Sequence, residues 1–198
     1  MQYLSEAERK AILELARQAV EEAVCQNRLL EEIPKTQVFE KLSGVFVTLY
    51  VGKRLRGCIG VIEAKEPLGR SIVRCAASAA LDDPRFNRMR PEEISSLEVE
   101  VSLLSPPEPI QPEEIEIGKH GLLMEQGFHR GLLLPQVAVE HHLDRERFLQ
   151  ETCHKAGLAA DAWKDSVTRI YGFTCEVLTR ERQNEKARAD ETDRRGLL

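Results

Sequence analysis

Apolar residues at Ile12, Leu13, Ala16, Ala19, Val20, Ala23 and Val24 recur at helical spacing, and Ser5-Glu6-Ala7-Glu8 before them has the form of a capping box. A long amphipathic helix is predicted to open the chain and to end by Pro34. From Val45 to Val51 the apolar residues fall on both faces of an extended run, the pattern of a central strand. Gly52-Lys53-Arg54 then turns the chain, and Leu55 to Ile62 reads as the partner strand of a hairpin. Pro67 suits the first turn of a second helix, whose stripe of Leu68, Ile72, Cys75, Ala76, Ala79 and Ala80 is small enough for close packing. Asp82-Asp83-Pro84 stops it, leaving Arg85-Phe86 in a loop.

Strict alternation resumes at Leu97, with Leu97, Val99, Val101 and Leu103 on one face and Glu98, Glu100 and Ser102 on the other. Pro106, Pro107, Pro109 and Pro112 stiffen the next stretch into an extended connector, a candidate lobe boundary. Gly121–Glu125 and Arg130–Leu134 flank Gln126-Gly127-Phe128-His129 and predict a second hairpin, with His120 just before it. Pro135 opens a short helix through His142. Asp144 caps another, carrying Phe148, Leu149, Thr152, Cys153 and Ala156 and closed by Gly157. A short turn around Trp163 precedes a last alternating strand through Tyr171, Phe173, Cys175 and Val177. The fold class that follows is α+β, a mainly antiparallel sheet flanked by helices, in a larger lobe and a smaller one around residues 106–135. Residues 1–178 read as one domain. Residues 179–198, charged with mixed sign and almost without apolar anchors, read as a mobile tail.

Composition narrows the function classes. The 198 residues are 42% hydrophobic and 31% charged but only 5% aromatic, so the core is aliphatic, and a formal net charge of −5 disfavours a nucleic-acid surface. The N-terminus lacks the order of a signal peptide, and no apolar run reaches membrane length, so a cytoplasmic protein away from membranes is expected. Five cysteines with no C-x-x-C pair predict reduced thiols, and His141, His142 and His154 match no metal-ligand spacing, so no metal site is predicted. Phosphate-loop, dinucleotide and nucleophile-elbow signatures are all missing.

The candidate chemistry lies in Leu55-Arg56-Gly57-Cys58-Ile59-Gly60. Glycines on both sides of a thiol let a backbone or ligand approach closely, and alternation places Arg56 on the face of Cys58, where a guanidinium favours the thiolate. The bland alternative is a small buried thiol between two packing glycines. This hexapeptide resembles the signature of the AMMECR domain family. Further resemblance lies in Gly44-Val45-Phe46-Val47, Asp83-Pro84-Arg85-Phe86, Glu100 to Pro106, Ile117 to Leu122, Arg130 to Ala138, and Cys153 with Lys155 to Leu158. It implies an α+β fold and a component of a three-part system whose other members are a Memo-like protein and a radical-SAM protein. It implies no particular reaction or cofactor. On this basis Cys58, Arg56, Glu100 and His120 are candidate catalytic residues, and Gly57, Gly60, Arg85 and Lys155 candidate binding residues, for a small-molecule ligand or a protein partner. Two function classes stay open, a thiol-based enzyme component and a non-catalytic interaction module, with an RNA-binding or RNA-modifying factor as a third.

Overall fold

The computed structural model describes residues 4–179. The segment expected to form a charged tail lies outside these residues, apart from Thr179. Ser5 caps helix α1 (Glu6–Gln26) through the predicted box: its Oγ accepts from the Glu8 N–H, and its own N–H donates to the Glu8 carboxylate at 2.8 Å. A single turn, α2 (Gln37–Glu40), leads into the hairpin of β1 (Gly44–Val51) and β2 (Arg54–Val61). Both turn residues, Gly52 and Lys53, have the positive φ that a tight hairpin needs. Helix α3 (Leu68–Leu81) follows, then β3 (Leu97–Leu104), a two-residue strand β4 (Glu108–Pro109), and the hairpin of β5 (His120–Gln126) and β6 (His129–Leu133). Helices α4 (Pro135–Glu140) and α5 (Arg145–Lys155) precede the final strand, β7 (Arg169–Thr179).

All strand pairs are antiparallel, in the order β2-β1-β3-β7-β5-β6, with β4 also on β7. This is the α+β architecture expected. Strand β7 serves both lobes: Cys175–Thr179 pair with β3, and Arg169–Thr174 pair with β5. Ser105 marks the change, its N–H donating to the Thr174 carbonyl at 2.9 Å and its Oγ accepting from the Thr174 N–H at 2.9 Å.

In the larger lobe, α1 and α3 cover one face of the sheet, burying Ile12, Val20 and Ile72 against Val45, Val47, Leu49, Val101 and Leu178. In the smaller lobe, α4 and α5 pack on β5, with Phe148, Leu149 and Cys153 against Leu122 and Met124. A third cluster of Leu104, Leu123 and Phe173 joins the lobes on the sheet face that α1 and α3 leave open. That open face is the one Glu98, Glu100 and Ser102 share. The proline-rich connector holds β4 and a turn of 3-10 helix at Pro112–Glu114. Among the described residues no helix is long and apolar enough to cross a membrane.

Candidate functional site

Strand β2 departs from simple alternation in one place. Tyr50 pairs with Leu55 and Leu49 with Gly57, so Arg56 is an extra residue at a bulge. The extra residue resets the alternation: Leu55 and Cys58 share the face of Tyr50 and Thr48, while Gly57 shares the face of Leu49, beneath α3. Arg56 is tied to partners other than the thiol. Its Nε and Nη2 donate to the Glu93 carboxylate at 2.7 and 3.1 Å, and its Nη1 donates to the Asn87 carbonyl at 2.7 Å.

The two glycines answer to packing. A Cβ on Gly57 would stand 2.0 Å from the Ala79 carbonyl oxygen, so only glycine lets α3 lie this close to β2. A Cβ on Gly60 would stand 2.3 Å from the Phe46 ring. Between them Cys58 is half-buried on the open face of the sheet.

Pairing sets a row of side chains across four strands on that face: Cys58 on β2, Thr48 on β1, Glu100 on β3 and Thr179 on β7. The Thr48 hydroxyl donates to the Cys58 sulfur at 3.4 Å. Glu100 lies one strand beyond Thr48, so its backbone is two strand spacings, about 10 Å, from that of Cys58. Burial, and then the charge of Glu140 at the end of α4, raise the Glu100 carboxyl above its ordinary range. Tyr50 stands two residues along β1 from Thr48, and its phenol is raised by burial and by Glu100, Cys58 and Glu140 together. One phenol therefore lies in the field of all three. Farther along the open face, Gln136 of α4 donates to the Cys175 sulfur at 3.6 Å. Burial pushes the Cys175 thiol up against the hydrogen bonds from Gln136 and Ser102.

The edge of β2 is gripped from outside. Cys58 faces β1 with its side chain beside Thr48 and turns its N–H and C=O outward, where a lone edge strand has no partner. The Cys58 N–H donates to Asp83 Oδ2 at 2.8 Å, and the Cys58 carbonyl accepts from Arg85 Nη2 at 3.3 Å. Asp83, whose side chain is only 2% exposed, also accepts from the Arg85 N–H and guanidinium. Those bonds, the Arg85 guanidinium first, hold the Asp83 carboxyl well below the usual carboxylate range. Arg85 is raised in turn, mainly by Asp83 and further by the Cys58 thiol. The guanidinium that meets Cys58 is thus Arg85, through the carbonyl, rather than Arg56.

The remaining candidates lie elsewhere. His120 begins β5, four strands from β2, and its Nδ1 accepts from the Glu116 N–H at 3.1 Å. Lys155 is exposed at the end of α5, where the helix backbone presses on Gly131 of β6. Of the other thiols, Cys75 and Cys153 are buried, the former pushed up to about 11 by burial, and Cys25 is exposed. Among the described residues no three His, Cys, Asp or Glu side chains gather as metal ligands do. Thr48, Tyr50, Asp83, Gln136 and Glu140 were not among the candidate site residues read from the sequence. Polar residues at alternate positions of β1 were a usable signal for the first two, whereas Asp83 looked like a helix terminator.

The chain resembles known proteins over most of its length. A family model described as AMMECR1 matches residues 13–178. A protein of Thermococcus gammatolerans is 46% identical over 183 residues, covering 86% of this chain and 89% of that protein. A protein of Methanothermobacter thermautotrophicus is 44% identical over 184 residues, covering 88% of this chain and 95% of its own. The crystal structure of an uncharacterised protein from Pyrococcus horikoshii has the same fold, with a TM-score of 0.79 and 42% identity over 84% of this chain and 88% of that one.

Proposed function

The chain belongs to the AMMECR1 family, and from that premise we propose that the open sheet face at Cys58 is a ligand-binding cleft equipped for thiol chemistry. In this reading the protein is the ligand-binding component of a system that includes a Memo-like and a radical-SAM protein. The observation that carries the proposal is convergence: strand pairing sets Cys58, Thr48 and Glu100 in one row, and Cys58, Glu100 and Glu140 of α4 all act on the Tyr50 phenol. A core has no use for that combination, because each buried ionisable group costs stability unless it is paired. A ligand lying along the row meets the Cys58 thiol on β2 and, two strands on, the Glu100 carboxyl, whose pKa burial raises, with the Tyr50 phenol of β1 as a donor between them. Arg85, fixed by Asp83, brings a guanidinium to the Cys58 carbonyl, the nearest cation to the thiol's own backbone. The commitment of Arg56 to Glu93 favours the alternative, a cleft that binds without covalent chemistry.

Alkylation with iodoacetamide, followed by peptide mapping, separates the two. Cys58 is expected to react faster than Cys75, Cys153 and Cys175, whose pKa values burial raises, and to slow in an Arg85→Ala variant while Cys25 keeps its rate. If Cys58 stays unmodified in the folded protein while Cys25 reacts, the thiol chemistry fails and binding alone remains.

A further inference from the structure

One edge of the molecule concentrates positive charge. Residues 52–56 carry Lys53, Arg54 and Arg56, and residues 84–90 carry Arg85, Arg88 and Arg90; neither run holds an acid, although the whole chain has a formal net charge of −5. The fold lays the two runs side by side. The loop after α3 meets β2 at Cys58 through Asp83 and Arg85 and again at Arg56 through the Asn87 carbonyl, so it advances along the outer edge of β2 toward the start of the strand. Arg85 and Arg56 are committed to Asp83 and Glu93. Lys53, Arg54 and Arg88 are exposed, and among the described residues none of the three has an ion-pair partner.

We propose that this edge is a docking surface for a short acidic stretch of a partner protein. Unpaired cations on an otherwise acidic molecule attract anions locally, and the range of that attraction is set by the patch. From Arg54 to Cys58 the strand covers roughly 13 Å, about four residues of extended peptide. A long polyanion would run past the patch onto surface that carries the acidic excess, whereas a few carboxylates in a row would not. Nor does the patch offer open rings on which bases could stack: Phe86, its one aromatic, already carries the Arg85 guanidinium 5.3 Å from the ring centre. The proposal does not depend on any reaction at Cys58.

Fluorescence anisotropy with the full chain and a labelled hexaglutamate peptide tests it. Binding should be measurable at low salt, weaken several-fold as ionic strength rises to about 0.15 M, and be about tenfold weaker or worse in a K53E/R54E/R88E variant. The three side chains are exposed, so the variant should keep its thermal midpoint; if it unfolds, K53A/R54A/R88A should show the same loss in smaller measure. No binding of hexaglutamate at low salt, or equal binding by parent and variant, would overturn the proposal. Tighter binding of a single-stranded oligonucleotide than of hexaglutamate would overturn the choice of a protein partner.

Discussion

Asp83 and Glu100 both belong to the proposed site, and their environments push them in opposite directions. Asp83 is buried but surrounded by donors, so its charge is stabilised; Glu100 is half-buried opposite another carboxylate, so its proton is. Asp83 holds the outer edge of β2 through the Cys58 N–H. Replacing it with Ala leaves the Cys58 N–H without its partner and is expected to cost about 1.5–3 kcal/mol in urea unfolding. The contribution has a pH signature. A carboxyl with a depressed folded pKa stabilises fully above its unfolded value of about 3.9 and loses that effect as pH falls through the folded value. The gap between parent and Asp83→Ala should accordingly be constant from about pH 5 to 7 and narrow steadily below about pH 4. A gap that does not change with pH would show that Asp83 acts through packing rather than charge.

Among the elements, the contact between α3 and β2 is the tightest constraint around the thiol. Gly57→Ala drives a Cβ into the backbone of α3 at Ala79, which cannot rotate out of the way as a side chain can. The expected loss is about 1–3 kcal/mol, the cost of overpacking a filled interface, read as a lower urea midpoint. How much of this was legible in the sequence depended on the range of the forces involved. Helices α1, α3 and α5 and both hairpins were readable because caps, turns and periodicity act over a few residues. Glu100 and Ser102 were correctly separated from the core face of β3 by alternation. The bulge at Arg56 was not readable, since it shows only once β1 is paired, and it moves the arginine off the thiol's face. Asp83 and Arg85 were seen as a loop because their partner, the edge of β2, is 25 residues or more away in the chain.

At the scale of the whole molecule, the lobes have cores of their own but share β7 and the cluster of Leu104, Leu123 and Phe173. Shared backbone pairing makes separate melting costly, because either lobe would have to release half of the strand that completes the other. A single cooperative transition is the expected behaviour. Trp163, the chain's one tryptophan, packs on the core of the smaller lobe, so its fluorescence reports that lobe, while far-UV circular dichroism reports both. The two melting curves should coincide, and midpoints several degrees apart would mean that the lobes unfold independently.

The same shared strand bears on how the protein is made. Ribosomes deliver the chain from its N-terminus, and many nascent proteins settle their early parts while later parts are still being synthesised. Here β3 and β5 each wait for Arg169–Thr179 to fill the gap between them. Until those residues emerge, β3 and β5 each have a bare inner edge open to stray pairing, and neither lobe can complete its part of the sheet.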